Sequence, residues 1–280
     1  MEQTVQFEKN TFEKRIKSML KVDFGRMFKT RLLYIIVACA LLVPIIMTVM
    51  LTMMDGTIPT DQQTGLPGEP LEGPEYVWET IGTLPTEEET EGDPVQVGMG
   101  GMDVMAMCNI NMAFMGVAVF VCLFVSDDFR SGYAKNLFTV RSSKVDYVVS
   151  KTLTGFVCGA LMLIAYVLGA MLGGAISHLS FALVGGLTVG SIVMCLLAKI
   201  LLMLVFVSIF VTISVAAKQT AWLSICASLG GGMLLFMMVP MITPLTSTLL
   251  NVLLCLAGGA MFAFGMGAIS NVVLKKTALV

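Results

Sequence analysis

Side chains able to do chemistry are concentrated in one polar segment, residues 126–151, which separates two long apolar blocks. The candidate site residues in it are Asp127, Asp128, Phe129, Arg130, Tyr133, Lys135 and Leu137. Phe129, Tyr133 and Leu137 recur every four residues, which, with Phe138, predicts one exposed apolar face on a short amphipathic helix. Ser126 and the two aspartates suit the start of that helix by capping and by the helix dipole. The segment therefore predicts either a docking point for a partner that pushes on the bilayer or an ordinary juxtamembrane helix.

One lysine, Lys199, stands inside an apolar block. A lysine at the centre of a membrane span costs about 2.5–3.5 kcal/mol on insertion scales unless its ammonium reaches the interface or finds a partner. Two interpretations follow. Lys199 lines a cavity that accepts substrate, or it snorkels to the interface or pairs with polar groups in a structural role.

Catalytic and nucleotide-binding motifs are absent from the sequence. The chain has no GxxxxGK[ST] phosphate loop, no HExxH, no GxSxG and a single histidine. We therefore expect no catalytic residue, no metal site and no cofactor bound by the chain itself. Because Lys199 is the only ionisable residue well inside an apolar block, ion-coupled transport is also disfavoured. Any uphill work would need a partner as its energy source.

The composition is that of a membrane protein. Of 280 residues, 56% are hydrophobic and 13% are charged, against roughly 25% charged in soluble proteins. The mean hydropathy is +0.88. The apolar blocks are as long as the ~20 residues that a membrane helix needs. The predicted fold class is an all-α membrane protein, with a six-helix transmembrane domain over 32–280. The predicted spans are 32–54, 103–125, 152–176, 191–216, 221–239 and 245–274.

Residues 1–31 precede the first span and are rich in lysine and arginine. Apolar side chains at helical spacing predict an amphipathic helix that rests in the headgroup layer with its apolar face down. Asp23 falls inside that apolar face and weakens the pattern. The alternative is a basic flank that only sets topology.

The connection 55–102 has the opposite character. It holds eleven acidic residues, six of the nine prolines and no lysine or arginine. This composition favours a weakly ordered loop over a packed domain. Its charge could attract cationic substrates or block re-entry, or the loop is a solvated spacer.

The basic residues are concentrated in alternate connections between the predicted spans. Sixteen of the seventeen lysines and arginines lie before the first span, in 126–151, in 217–220 or after the last span, and the intervening connections have none. The positive-inside rule places the basic connections in the cytoplasm. We therefore expect both termini in the cytoplasm and 55–102 outside the cell. A location in the bacterial plasma membrane is a separate expectation.

Small residues at four-residue spacing mark the predicted third span. Gly155 and Gly159 form one GxxxG pair, and Gly169 and Gly173 form another. Such pairs allow two helix backbones to approach closely. We interpret them as packing positions rather than as substrate contacts.

With these features in this order, the chain resembles the permease subunit of type-2 (ABC-2) ATP-binding-cassette exporters. The residues that carry the likeness are Asp127-Asp-Phe-Arg-Ser-Gly-Tyr-Ala-Lys-Asn-Leu137 and Arg141-Ser-Ser-Lys144. The family is similar in having an amphipathic connecting helix before span one, six spans, and a coupling helix between spans two and three. The 48-residue acidic loop is a departure, because many members have a shorter connection there.

The resemblance implies partners and a function. The implied partners are two copies of an ATP-binding-cassette ATPase subunit, a second permease chain in a homodimer or heterodimer, and the lipid bilayer. The ATPase subunits would bind ATP and magnesium, and no nucleic acid is implied. The chain would then export a peptide, drug or lipid-like molecule, and residues 126–151 would couple it to the ATPase. The alternative is a non-transporting membrane sensor or scaffold that acts through its cytoplasmic and extracellular segments.

Overall fold

The computed structural model describes residues 12–57, 73–82, 109–140, 144–184 and 186–276. Regular structure in these residues is helical, apart from one isolated bridge. The helices are α1 (Phe12–Lys29), α2 (Arg31–Met54), α3 (Met112–Arg130), α4 (Tyr133–Val140), α5 (Lys144–Ile176), α6 (Val189–Ala217), α7 (Ala221–Phe236), α8 (Val239–Ile242) and α9 (Leu249–Lys276), with a 3-10 turn at Val77–Thr80.

Within the part of the chain that the structure describes, five helices are long and apolar enough to cross a membrane: α2, α3, α5, α6 and α9. The predicted fifth span corresponds to α7, which has 16 residues and is about 24 Å long, shorter than the ~30 Å hydrocarbon core. The helical membrane fold is therefore confirmed, and the count of six spans stays a prediction.

The first predicted span agrees with α2 to within one residue, whereas the second is displaced. Helix α3 begins at Met112 and continues to Arg130. The predicted start at residue 103 lies outside the described residues. The interpretation of Ser126 and the aspartates as a helix start was wrong, because they form the last turns of α3.

The predicted glycine pairs in α5 are packing positions, as interpreted. A Cβ atom added at Gly169 would lie 2.2 Å from the carbonyl oxygen of Leu41, and one at Gly173 would lie 3.0 Å from the Cα of Ile45. Helix α2 therefore crosses α5 in backbone contact. Gly155 and Gly159 accommodate α6 instead, where added Cβ atoms would meet side chains at 2.7 and 2.5 Å. The glycines of α5 thus allow α2 and α6 to pack closely against it.

The two ends of the bundle differ in composition. We call one the basic end; it holds α1, α4, the first turns of α5 and the last turn of α9. The other, the loop end, holds residues 73–82, the start of α3 and the connection from α5 to α6. Between them, aromatic rings of α3 and α6 fill the interior, with the ring centroids of Phe114 and Phe206 4.7 Å apart.

Candidate functional site

A cluster of four charged residues, three of them fully buried, lies at the basic end. We call Asp23, Arg26, Asp128 and Lys151 the ion cluster. The Lys151 ammonium is 2.8 Å from Asp23 Oδ1 and 2.7 Å from Asp128 Oδ2. The Arg26 guanidinium lies 2.6 Å from Asp128 Oδ1. The side chains of Asp23, Asp128 and Lys151 are fully buried. Two carboxylates and two cations balance, so the cluster connects α1, α3 and α5 without net charge.

Neighbouring side chains add hydrogen bonds and cation–π contacts to the ion cluster. The Ser150 hydroxyl donates to Asp23 Oδ2 at 2.5 Å, and the Tyr147 hydroxyl donates to Asp128 Oδ2 at 3.0 Å. The Lys151 ammonium also stands 4.1 Å from the Phe124 ring centroid, and the Arg26 guanidinium 4.3 Å from that of Tyr133. Hydrogen bonds and cation–π contacts of this kind offset the desolvation of the charges.

The local sequence explains why the cluster forms. Asp128 lies in the last turn of α3, where the helix dipole disfavours a carboxylate, and Arg26 and Lys151 compensate for this. Asp23 shares its face of α1 with Met19 and Met27, and all three are buried. That face packs on α5. The aspartate that weakens the amphipathic pattern is therefore the residue that pairs α1 with Lys151.

The seven predicted coupling residues divide into two groups. Asp127, Arg130 and Lys135 are exposed, whereas Asp128 and Phe129 are buried, and Tyr133 and Leu137 are half-buried. The rings of Phe129 and Phe138 pack edge-on against Tyr147, at 6.2 and 5.3 Å between centroids. The prediction of one exposed apolar face was therefore wrong, because the aromatic face packs on α5. The exposed surface of this segment is polar and mostly cationic.

Tyr133, the first residue of α4, connects the coupling segment to the ion cluster. Burial raises the pKa of its hydroxyl, and the carboxylates of Asp23 and Asp128 raise it further. Tyr133 is consequently a neutral phenol at physiological pH. Its ring covers Arg26, so α4 contacts the cluster through an aromatic face rather than through another charge.

Two further contacts fix the start of α5. Arg15 of α1 lies 3.2 Å from the buried carboxylate of Asp146. The Lys144 ammonium donates to the carbonyl oxygen of Leu274 in α9 at 2.6 Å. The basic end thus joins α1, α3, α5 and α9 through polar contacts, and α4 lies beside them.

Lys199 lies toward the loop end and is 1% exposed. Its ammonium donates to Asn111 Oδ1 at 2.8 Å and to Thr243 Oγ1 at 3.0 Å. These bonds connect α6 to the residue before α3 and to the turn after α8. They match the structural-pairing interpretation, and the role of Lys199 in a substrate cavity stays a prediction. Among the described residues, no group of three or more His, Cys, Asp or Glu side chains could hold a metal ion.

The sequence contained signals for the residues that were not predicted. Tyr147 and Lys151 are four residues apart and so share one face of α5, a pattern that suggests polar contacts there. A buried aspartate in an apolar stripe calls for a cationic partner. Neither signal indicates which cation pairs with which carboxylate.

The apolar helices define a multi-pass helical membrane protein. Residues 80–234, from the 3-10 turn through most of α7, match the family model described as ABC-2 family transporter protein. Because that match covers more than half of the chain, the protein belongs to the ABC-2 transporter family. Membership implies a transmembrane transport component that associates with an ATP-binding-cassette ATPase subunit. Neither the curated proteins nor the solved structures gave a match to the chain.

Proposed function

We propose that the chain is the permease subunit of an ATP-driven exporter, which moves a peptide, drug or lipid-like substrate out of the cytoplasm. Two ATPase subunits supply the energy and bind ATP and magnesium, and a second permease chain completes the pathway. The basic end faces the cytoplasm of a bacterial plasma membrane, and α1 lies at the membrane interface as the connecting helix. The match of residues 80–234 to the ABC-2 transporter family is the observation that carries this proposal, and the ion cluster supports the proposed route of coupling.

The ion cluster suits transmission of force. Exposed Arg130 and Lys135 offer a cationic surface on the loop between α3 and α5. Asp128, two residues before Arg130, joins α3 to Lys151 of α5 and to Arg26 of α1. Removing one partner from a buried ion pair is strongly destabilising. Helices joined in this way move together, so a push on α4 is passed to two spans and to the connecting helix.

The exposed cations are the part of the site that a partner can contact. Charge complementarity across an interface governs encounter rate and specificity. An acidic groove on the ATPase subunit would fit this surface. The buried residues Asp128 and Phe129 act instead by holding α4 against α5.

Co-purification tests the proposal. The chain, expressed with an ATP-binding-cassette ATPase subunit from the same genome, should purify as a complex whose ATP hydrolysis exceeds that of the ATPase alone. Reversal of the exposed charges in Arg130→Glu/Lys135→Glu should lower complex formation by about tenfold while the fold is kept. The matched control is Lys276→Glu, an exposed lysine at the same end but outside the loop. Full activity of the chain alone in liposomes, with no ATPase bound, would contradict the proposal.

A further inference from the structure

Helix α1 has two opposite faces, and only one of them packs on the helical bundle. Met19, Asp23 and Met27 form the buried face, which contacts α5. Asp23 is held there by the Lys151 ammonium at 2.8 Å. The apolar side of this amphipathic helix is therefore covered by protein. The opposite side is the one that remains to meet another partner.

The exposed side of α1 and the start of α2 carry basic and aromatic side chains. We call these exposed residues the lysine face: Lys17, Lys21, Phe28, Lys29, Arg31 and Tyr34. Lys21 lies one turn after Lys17 and seven residues before Phe28, so these three share one side of α1. Among the described residues of α1 and the first turn of α2, Glu13 is the one exposed acidic residue. The lysine face therefore has a strong positive charge.

Two hydrogen bonds fix the bend that joins α1 to α2. The Tyr34 hydroxyl donates to the carbonyl oxygen of Phe28 at 2.8 Å, and the Thr30 hydroxyl donates to that of Arg26 at 2.8 Å. Helix α2 begins at Arg31 and is long and apolar enough to cross a membrane. The bend thus lies where a membrane helix meets the headgroup layer. The side chains around it stand at the level of the lipid phosphates.

Basic and aromatic side chains at this level fit phospholipid headgroups. Ammonium and guanidinium groups pair with phosphate oxygens, and aromatic rings are enriched where membrane proteins cross the interface. Phe28 and Tyr34 are 48% and 61% exposed beside the cations, as this arrangement requires. Each lysine near an anionic bilayer surface strengthens association by about fivefold. Lipids with a net negative charge are therefore favoured over zwitterionic ones.

The ATPase is the other candidate occupant, and the geometry disfavours it. The Arg26 guanidinium covers the Tyr133 ring, so α4 lies beside that side of α1. Nine helical residues separate Lys17 from Arg26, which places the two side chains about 180° apart around α1. Lys17 therefore points away from the coupling segment, where the proposed function places the ATPase.

We propose that the lysine face binds anionic phospholipids of the leaflet at the basic end. The inference rests on the proposed function only in assigning that leaflet to the cytoplasmic side. Helix α1 is then held on two sides, by lipid headgroups on its exposed face and by the ion cluster on its buried face. The lysines of α1 bind the bilayer, while Arg26 binds the other helices.

Photoreactive lipids test the inference at the site itself. The full chain in phosphatidylcholine nanodiscs receives a small fraction of photoreactive phosphatidylglycerol or, in parallel, of phosphatidylcholine with the same photoreactive group. Adducts on residues 12–35, mapped by mass spectrometry, should favour phosphatidylglycerol by at least about tenfold, and added salt should lower this preference. Equal adducts from the two lipids would overturn the inference.

Matched double variants locate the effect. Lys17→Gln/Lys21→Gln should lower the preference for phosphatidylglycerol by at least about fivefold, and Lys17→Arg/Lys21→Arg should keep it because the charge is kept. Arg130→Gln/Lys135→Gln removes the same charge from the coupling segment and should leave the lipid preference unchanged. The inference fails if Lys17→Gln/Lys21→Gln keeps the full preference.

ATPase binding separates this inference from the proposed function. In co-purification, Lys17→Gln/Lys21→Gln should retain the ATPase subunit, whereas Arg130→Gln/Lys135→Gln should lose it. If the first variant loses the ATPase and keeps its lipid preference, the lysine face belongs to the ATPase, so the inference is overturned and the proposed function stands. If no ATPase binds the chain, the proposed function fails, and the lipid preference of the chain alone still decides the inference.

Discussion

Removal of the Lys151 ammonium should expose how the ion cluster works. In Lys151→Met the buried carboxylate of Asp23 keeps the Ser150 hydroxyl as its hydrogen-bond donor but has no direct ion pair, whereas Asp128 keeps Arg26 and Tyr147. Both members of the Asp23–Lys151 pair are fully buried, so solvent screening does not reduce the effect. We expect the free energy of unfolding to fall by about 3 kcal/mol, the lower end of the range for a broken buried pair.

The double variant Asp23→Asn/Lys151→Met should be more stable than Lys151→Met. It removes one charge of each sign, and Arg26 still balances Asp128. We expect a loss of about 1–2 kcal/mol relative to the unmodified chain, and an interaction energy between the two sites of about 2–3 kcal/mol.

Unfolding in detergent, followed by helical circular dichroism, measures the cycle. Asp127→Asn is the matched control, because that carboxylate is 68% exposed and 3.9 Å from Arg26. It should change stability by less than about 1 kcal/mol. Asp23→Asn alone completes the cycle. A double variant destabilised by the full sum of Asp23→Asn and Lys151→Met would refute the reasoning, because the two side chains would then not interact.

Three further variants follow from the packing. Gly169→Ala should lower the free energy of unfolding by about 1–3 kcal/mol, because the added methyl group would clash with a carbonyl oxygen of α2. Gly265→Ala is the control, since Gly265 has open space around it, and it should not destabilise the chain. Lys199→Met should cost about 1–3 kcal/mol because it leaves a buried amide oxygen without its donor, and an unchanged melting temperature would contradict this. A Cβ at position 174 would lie 2.3 Å from Val77 Cγ2, so Gly174→Ala should speed proteolysis of residues 73–82. Adding Val77→Ala should restore protection by removing this clash, and failure to restore it would refute the packing argument.

The architecture was largely accessible from the sequence because bilayer burial leaves a strong signal. The bounds of α2 and the end of α5 follow from where long apolar blocks meet polar residues. The packing role of Gly169 and Gly173 follows from their four-residue spacing. These inferences depend on residues that are neighbours along the chain.

The ion cluster could not be predicted from the sequence because it depends on contacts between residues that are distant along the chain. Lys151 pairs with a carboxylate 128 positions earlier. In the sequence alone, Asp23 only weakens the amphipathic pattern of α1. The end of α3 was misplaced for a related reason, since helix-start preferences favour Asp127 and Asp128 there, whereas tertiary cations stabilise them at a helix end.

Residues 73–82 show the same limit of sequence-based prediction at the other end of the bundle. Acidic residues, prolines and glycines predict a weakly ordered connection over 55–102. The segment 73–82 is held instead by Val77 and Ile81, which fill gaps in the helical bundle. Two apolar residues in a polar loop are a small signal, and Gly174, which accommodates Val77, is far away in sequence.

Site-specific photo-crosslinking from the coupling segment tests the central claim most directly. A photoreactive amino acid at Lys135, exposed on α4, should crosslink the chain to its ATPase subunit in intact membranes. The same group at Met261, which is 76% exposed on α9, should not. A crosslink to the ATPase from position 135 alone is the predicted result. No ATPase adduct at position 135, or equal adducts at both positions, would contradict the account.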